Sequence, residues 1–130
     1  MKILVGYDGS KVAEDALKLA QEHARVFNAD IHVFTSLLQS PELQKEDIEK
    51  AESKLDHLKL TFNFDLIPCE THASVTYKTP GEDLIQFAKD QDVDFIFVGV
   101  RKRSKVGKLV FGSTAQYVIL EAPCPVVTVK

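Results

Sequence analysis

The sequence predicts an α/β protein built on one doubly wound, five-stranded parallel sheet with helices on both faces. Short β-branched runs alternate with longer segments of helical periodicity along all 130 residues. The segments between successive strands are long enough to hold a helix, which requires parallel strands, and right-handed crossovers then place helices on both faces. A chain of this length encloses one core. We therefore expect residues 1–130 to form a single domain.

The first strand and the first helix have the most regular patterns. Lys2 to Tyr7 is built around the continuous apolar run of Ile3 to Val5, which is typical of a strand buried on both faces. Ser10 is a suitable N-cap. Behind it, apolar residues recur at helical spacing as far as Phe27, which predicts a helix of about four turns with one apolar face.

A second strand and the longest helix follow. The β-branched and aromatic residues of Ile31 to Leu38 predict the strand. Ser40 and Pro41 predict the start of the helix, because serine caps a helix and proline is favoured in its first turn. The apolar stripe of this helix extends to Phe62.

The third strand has a more polar pattern. Leu66 to Val75 includes Thr71 and His72, which suits an edge of the sheet better than its centre. The next helix begins at Thr79 to Glu82, where the spacing of threonine and glutamate forms a capping box with proline in the first turn. Its apolar face extends to Ala88.

The last third of the chain predicts the strand Asp94 to Val98, the helix Ser113 to Glu121 and the strand Pro125 to Val129. With the third and the last strand at opposite edges, we expect the strand order 3-2-1-4-5. Such sheets bind ligands beyond the carboxyl ends of their strands, where the winding direction reverses. The turn at Asp8 and the loop from Gly99 to Ser113 both lie at that end.

Composition and charge exclude several classes of protein. Apolar residues make up 45% and charged residues 27% of a chain with a net charge of −3, which is typical of a globular protein. Because positive charge is local, we expect no nucleic-acid partner. No apolar run approaches the length of a membrane span and the first strand opens at Lys2, so we expect a cytoplasmic protein without membrane contact. Cys69 and Cys124 lack the spacing of a zinc site and are expected to be reduced, packed thiols.

The segment from Phe95 to Thr114 carries the clearest functional signal. A strand ends at Gly99, a basic loop follows, and the chain enters a helix at Gly112, Ser113 and Thr114. Five of the sixteen lysines and arginines lie within eight positions, namely Arg101, Lys102, Arg103, Lys105 and Lys108. Glycine lets the main chain approach an anion closely, and free N–H groups at a helix start donate to its oxygens. The pattern predicts a phosphate cradle; taken alone, the same loop could be solvated, with the serine only capping a helix.

The chain resembles the universal stress protein family over its whole length. The resemblance begins with Val5 to Ser10, VGYDGS, which matches the family's strand-one aspartate and small turn, and it closes with Ala122 to Val129, APCPVVTV. Nucleotide-binding members carry a glycine, two residues, a second glycine, nine residues, and then a glycine followed by serine or threonine. Here Gly99 and Gly112 with Ser113 stand at the family's spacing, and Lys102 occupies the position of the second glycine. The resemblance implies an adenine nucleotide alpha hydrolase-like fold.

Lys102 bears on nucleotide binding in two opposite ways. If the position requires a positive φ, lysine costs about 1–2 kcal/mol there and its Cβ crowds a phosphate. If the position only has to be small, the lysine can turn outward. Its ammonium group can then pair with phosphate oxygens, as can Arg101 beside it. Nucleotide binding remains the favoured interpretation.

The resemblance implies a role for each matching position. Asp8 would lie near the ribose hydroxyls or a magnesium ion, Gly6 would line the wall formed by the first strand, and the main chain at Ser36 would bond the adenine edge. The nucleoside would pack beside Val98 and Gly99. The phosphates of ATP, or of ADP or AMP, would be held by Arg101, Lys102, Gly112, Ser113 and Thr114. For Asp8, a turn carboxylate that bonds only its own loop is the alternative.

Three functional classes are compatible with these features. The leading one is a regulatory stress-response module that binds ATP or another adenine nucleotide. The second is a structural or interaction dimer without a ligand. The third is a slow ATPase, for which Asp8 is the only evident base.

Other catalytic signatures are lacking in the sequence. The four histidines, His23, His32, His57 and His72, lie on separate elements, and none stands beside a serine or cysteine as in a catalytic triad. We expect them at the surface or in packing. The P-loop pattern, a glycine followed at fixed spacing by Gly-Lys-Ser/Thr, is absent too.

The C-terminal strand predicts self-association. Val126 to Val129 is β-branched and lies at a sheet edge in the doubly wound order, and an exposed edge invites pairing with another chain. Family members commonly dimerise through the final strand, so the resemblance implies a homodimer formed by antiparallel pairing of this strand with its copy. A monomer whose edge is protected by twist is the alternative.

Overall fold

The computed structural model describes residues 1–101 and 112–130, in which strands and helices alternate. The strands are β1 (Lys2–Gly6), β2 (Asp30–Leu38), β3 (Cys69–Thr76), β4 (Phe95–Gly99) and β5 (Val126–Val129). The helices are α1 (Lys11–Phe27), α2 (Lys45–Phe64), α3 (Pro80–Asp90) and α4 (Ser113–Glu121). Four of the basic residues assigned to the phosphate cradle, Lys102, Arg103, Lys105 and Lys108, lie outside the described residues.

The five strands form one parallel sheet in the order β3-β2-β1-β4-β5, which confirms the expected fold class and strand order. β1 lies at the centre, where Val5 pairs with Val33 on β2 and with Phe97 on β4. β3 and β5 form the two edges, as expected. From β1 the chain winds outward to β2 and β3, and α3 then carries it across to β4. The winding direction therefore reverses between β1 and β4.

Two apolar layers hold the helices to the sheet. On one face, Val5 and Val33 pack with residues of α1 and α2. On the other face, Leu4 and Ile96 pack with residues of α3 and with Val118 of α4. β1 is buried on both faces, as its continuous apolar run predicts. In the two ranges that the structure describes, no helix combines the length and the apolar character needed to cross a membrane.

The predicted start of α2 at Ser40 and Pro41 is wrong. The helix begins at Lys45 with Gln44 as its N-cap, and the Gln44 main-chain N donates to Asp47 Oδ2 at 2.9 Å. Ser40 has Leu43 three positions later and therefore lacks the acidic partner that completes such a capping box.

The predicted start of β3 at Leu66 is also too early. Leu66 has a φ of 60°, which is left-handed and incompatible with an extended strand. Its main-chain N donates to the Asn63 carbonyl at 3.1 Å, at the end of α2. The strand consequently begins at Cys69.

Candidate functional site

A cleft lies at the carboxyl ends of β1 and β4, where the winding reverses. Seven of the ten site residues expected from the sequence line it, namely Gly6, Asp8, Ser36, Val98, Gly99, Arg101 and Thr114. Gly112 and Ser113 directly precede Thr114 at the exposed start of α4. Lys102 lies outside the described residues. The sheet order thus brings together residues from both ends of the chain.

The cleft has further lining residues to which the sequence analysis gave no site role. They are Tyr7, Ser10, Val12, Ala13, Phe34, Pro80, Leu84 and Ala115. Most of them stand next to an assigned residue or at the start of a helix, and helix starts meet the carboxyl ends of the strands in this fold. Position in the topology, rather than residue type, is the signal that could have identified them.

The cleft continues into a second cavity between β2 and α2. The cleft itself has a volume of about 150 Å³. The second cavity has a volume of about 360 Å³ and shares Tyr7, Asp8 and Ser36 with the cleft. Sites for small organic molecules usually measure about 300–1,000 Å³. The two cavities together reach that range, whereas the first alone does not.

The turn between β1 and α1 fixes Asp8. Its Oδ1 accepts a hydrogen bond from the Ser10 main-chain N at 3.0 Å, and Ser10 Oγ in turn accepts from the Ala13 main-chain N at 3.2 Å as the N-cap of α1. Gly9 has a φ of 81°, a conformation that favours glycine. One oxygen of Asp8 therefore bonds its own loop, as the alternative interpretation required. The other faces Arg101.

Asp8 Oδ2 lies 3.5 Å from the Arg101 guanidinium, and both side chains are more than half exposed. Partial desolvation alone would raise the pKa of Asp8, but hydrogen bonds from Ser10 and the charge of Arg101 outweigh it and lower the pKa below its ordinary value. Asp8 is consequently ionised at neutral pH. An exposed pair of this kind contributes only about 0–1 kcal/mol, so Arg101 can exchange Asp8 for another anion at little cost.

The main chain of Ser36 faces the cleft beyond the end of β1. Even-numbered residues of β2 direct their N–H and C=O groups towards β1: Asp30 N donates to Met1 O and Phe34 O accepts from Tyr7 N, both at 2.9 Å. Ser36 has the same orientation, but the pairing of β1 with β2 ends at Gly6 and Phe34. β1 has therefore ended at the level of Ser36. The N–H and C=O of Ser36 point into the cleft, where the edge of a ligand can reach them.

The side chain of Ser36 bonds a buried carboxylate that the sequence analysis missed. Ser36 Oγ donates to Asp83 Oδ2 at 2.5 Å, and Thr76 Oγ1 donates to the same oxygen at 2.8 Å. Asp83 is only 6% exposed and lies near the N-terminus of α3, where the helix dipole favours negative charge. It ties the ends of β2 and β3 to α3. In the sequence it stands beside Glu82 and is indistinguishable from a solvated acidic residue.

Comparison with known proteins gives matches over the whole chain. The model described as the universal stress protein family matches residues 1–130. A universal stress protein of Thermus aquaticus is 33% identical over an alignment of 138 positions, which covers 98% of this chain and 97% of the relative. A solved universal stress protein from Archaeoglobus fulgidus is 35% identical with a TM-score of 0.86, covering 100% of this chain and 93% of that one. The universal stress protein from Archaeoglobus fulgidus in complex with dAMP is 33% identical with a TM-score of 0.83, covering 100% and 98%.

Proposed function

Because the chain belongs to the universal stress protein family, we propose that it binds an adenine nucleotide in the cleft at the carboxyl ends of β1 and β4. Bound nucleotide would make it a regulatory module of the stress response. The observation that carries the proposal is the convergence in this cleft of seven of the ten residues to which the resemblance assigns a nucleotide-binding role. A relative that is 33% identical to this chain was solved with dAMP, which supports the choice of an adenine nucleotide.

The base would lie against β2. The N–H and C=O of Ser36, which no main-chain group of residues 1–101 and 112–130 pairs with on this side, are a donor and an acceptor side by side, which suits the edge of an adenine ring. Phe34, Leu84 and Val98 line the same cleft and offer apolar surface to its faces. The Ser36 side chain is held away by Asp83, so recognition at this position would be by main chain.

The ribose and the phosphates would occupy the Asp8 side of the cleft. Asp8 Oδ2 can accept hydrogen bonds from ribose hydroxyls once Arg101 turns to a phosphate. The N-terminus of α4, from Gly112 to Thr114, presents main-chain N–H groups and two hydroxyls to phosphate oxygens. A magnesium ion bound by Asp8 and the phosphates is the alternative role for this carboxylate.

A binding role fits Asp8 better than a catalytic one. ATP hydrolysis requires a base positioned against a water molecule. Asp8 has one oxygen bonded to its own turn and the other facing Arg101, and its lowered pKa makes it a weaker base. The geometry thus favours a nucleotide-binding module over an ATPase.

Calorimetry with AMP, ADP and ATP, each in magnesium and in EDTA, tests the proposal and the role of Asp8. We expect binding at micromolar strength by at least one of the three. If Asp8 holds a magnesium ion, EDTA should weaken the binding of ATP but not that of AMP, and Asp8→Asn should abolish this difference between the two nucleotides. If Asp8 bonds the ribose, Asp8→Asn weakens all three nucleotides equally. Absence of binding by all three at millimolar concentration would favour the ligand-free dimer instead.

A second test examines the protein as purified. The ultraviolet spectrum of protein denatured straight after purification reveals any adenine carried through, and chromatography identifies it. Co-purified AMP, ADP or ATP would support the proposal and name the physiological ligand.

Lys102 is the chain's departure from the family pattern, and we propose that it assists phosphate binding together with Arg101. The Lys102→Gly variant restores the family's glycine. We expect it to bind nucleotide more weakly and with less dependence on salt, because one screened attraction to the phosphates is lost. A tenfold gain in affinity would show that the lysine obstructs the site.

We further propose that two chains pair through β5. β5 is an edge of the sheet and is only partly buried, and unpaired main-chain groups at such an edge favour association. Antiparallel pairing of β5 with its copy would extend the two sheets into one and is compatible with two-fold symmetry.

A further inference from the structure

Three side chains that can ligate a metal ion meet on the α3 face of the sheet, away from the nucleotide cleft. His32 lies on β2, and Glu70 and His72 lie on β3. In the parallel register His32 pairs with Glu70 and Phe34 pairs with His72, which places the three side chains on one face. The sequence predicts histidines on separate elements, at the surface or in packing, and strand pairing brings two of them into contact although they are 40 positions apart.

The distances between the three ligating atoms match those around one metal ion. His32 Nδ1 lies 3.3 Å from His72 Nε2, and Glu70 Oε2 lies 3.5 Å from His32 Nδ1 and 3.8 Å from His72 Nε2. Tetrahedral zinc with bonds of about 2.0–2.2 Å separates its ligand atoms by about 3.3–3.6 Å. The carboxylate oxygen has to move by a few tenths of an ångström, and the two imidazole rings, whose nitrogens face each other as hydrogen-bond partners, have to turn towards the shared ion. The Glu70 side chain is 69% exposed and therefore free to adjust.

The surroundings hold the imidazoles in place and leave one side open. The Phe87 ring of α3 lies 4.7 Å from the His72 ring and 5.7 Å from the His32 ring, centroid to centroid. The His32 side chain is only 8% exposed, whereas Glu70 opens to solvent. Water can thus reach the position opposite the three ligands. Two nitrogens and one carboxylate oxygen form a donor set that suits zinc better than magnesium or calcium, which prefer oxygen ligands alone.

We propose that His32, Glu70 and His72 bind one Zn²⁺ ion, with water as the fourth ligand. The ion would join the edge strand β3 to β2 through side chains in addition to the main-chain ladder. The cluster lies in the first half of both strands, whereas the nucleotide cleft lies at the carboxyl ends of β1 and β4. Phe34 lines the cleft and its ring lies 6.4 Å from the His72 ring, centroid to centroid, but none of the three metal ligands lines the cleft. Zinc binding and nucleotide binding can therefore be measured separately, and failure of one leaves the other standing.

Titration of the untagged, EDTA-treated chain with Zn²⁺ in a calorimeter tests the proposal. We expect one ion per chain at micromolar affinity or tighter. His72→Gln should weaken binding by at least about 100-fold and Glu70→Gln by at least about 10-fold, because each removes one of three ligands. His57→Gln is the matched control, since His57 is exposed on α2, which packs on the opposite face of the sheet from α3 and the cluster. Circular dichroism of each variant verifies that the fold is retained.

Co²⁺ provides a second readout that reports geometry. Bound at this site it should give the intense visible absorption of a tetrahedral ion, and Zn²⁺ should displace it. Three results would overturn the proposal: less than one ion bound per chain, a folded His72→Gln variant with unchanged affinity, or an equal loss of affinity in His57→Gln.

Discussion

Gly99 lies directly against the main chain of Val12, so that a Cβ at position 99 would come within 2.6 Å of the Val12 carbonyl carbon and oxygen. Main chain in a helix cannot move aside as the end of a flexible side chain can. The first glycine of the nucleotide-binding pattern is consequently required for packing α1 against the end of β4. At Gly112, the third glycine position, a Cβ would meet no atom of the described residues within 4 Å. The two glycines therefore serve different physical purposes.

Gly99→Ala should destabilise the protein. We expect the free energy of unfolding to fall by about 1–3 kcal/mol, the usual effect of forcing an extra methyl group into a packed contact. Urea denaturation measures it. Gly112→Ala, at an open position with a φ of −65°, is the control and should lower stability by less than about 1 kcal/mol, the cost of a poorer N-cap for α4. Equal stability of the two variants would contradict the packing role of Gly99.

Gly112→Val should separate binding from folding. The backbone at Gly112 is extended and accepts a branched residue without a clash, and since valine is a poorer N-cap for α4 than glycine, stability should fall by no more than about 1 kcal/mol. The new methyl groups would occupy the approach of the phosphates, and nucleotide affinity should drop at least tenfold, about 1.4 kcal/mol. Calorimetry on both forms decides the matter. If the valine variant binds as tightly as the parent, the phosphates are not held where we propose.

Asp83→Ala should destabilise the protein by about 1–3 kcal/mol, because the hydroxyls of Ser36 and Thr76 would lose their shared acceptor. Asp83→Asn keeps an acceptor oxygen and should lose less. A double-mutant cycle provides the control: once Asp83 is alanine, Ser36→Ala should cost little more. Additive losses in that cycle would mean that the two residues act independently.

Thr128→Pro should convert the proposed dimer into a folded monomer. Ile96 N donates to Pro125 O at 3.1 Å and Val100 N donates to Val129 O at 2.7 Å, so odd-numbered residues of β5 face β4 and the N–H of Thr128 faces outward. Proline there removes a donor only from the free edge. At Val127 it would instead break the ladder to β4 and confound the result.

Sedimentation at micromolar concentration compares the parent, Thr128→Pro and the control Thr128→Val, which keeps the N–H. The parent and Thr128→Val should sediment as dimers. A monomeric parent, or a Thr128→Pro variant that remains dimeric, would rule out pairing through this edge.

Cys69 should resist alkylation in the folded protein. The two free cysteines match the expectation of reduced thiols, and burial raises the pKa of Cys69 to about 11. At pH 8 only about 0.1% of Cys69 is thiolate, which is the reactive form. The rate of its alkylation should therefore rise with pH, as the thiolate fraction rises. Iodoacetamide labelling followed by mass spectrometry measures it. The less buried Cys124 should react first, and in urea both should react alike; equal rates in the folded chain would contradict the burial of Cys69.

The fold could be predicted from the sequence because its signals are local. The apolar run at β1 and the capping box at Thr79 and Glu82 depend only on neighbouring residues, and the structure has both. The start of α2 was predicted at Ser40 and Pro41 because these residues form a plausible local signal for a helix start. Gln44 and Asp47 form a more complete capping signal, and the helix begins there.

Much of the candidate site could also be located in advance, since the topology places the strand ends that carry Asp8, Ser36 and Gly99 at one edge of the sheet. Contacts between side chains that are distant in the sequence could not be predicted. The acceptor role of Asp83 and the meeting of His32 with His72 depend on strand register and on the position of α3, neither of which has a local signature.

The Asp8 and Arg101 pair has a consequence for how an anion would enter the cleft. Asp8 contacts Arg101 and would compete with an incoming phosphate for it, so that entry would be an exchange of partners and not a plain association. Added salt weakens the attraction of Arg101 for the incoming anion, but it weakens the hold of Asp8 on Arg101 as well. Since the two effects oppose each other, the contribution of Arg101 to affinity should fall less with ionic strength than that of a basic residue that has no such competitor.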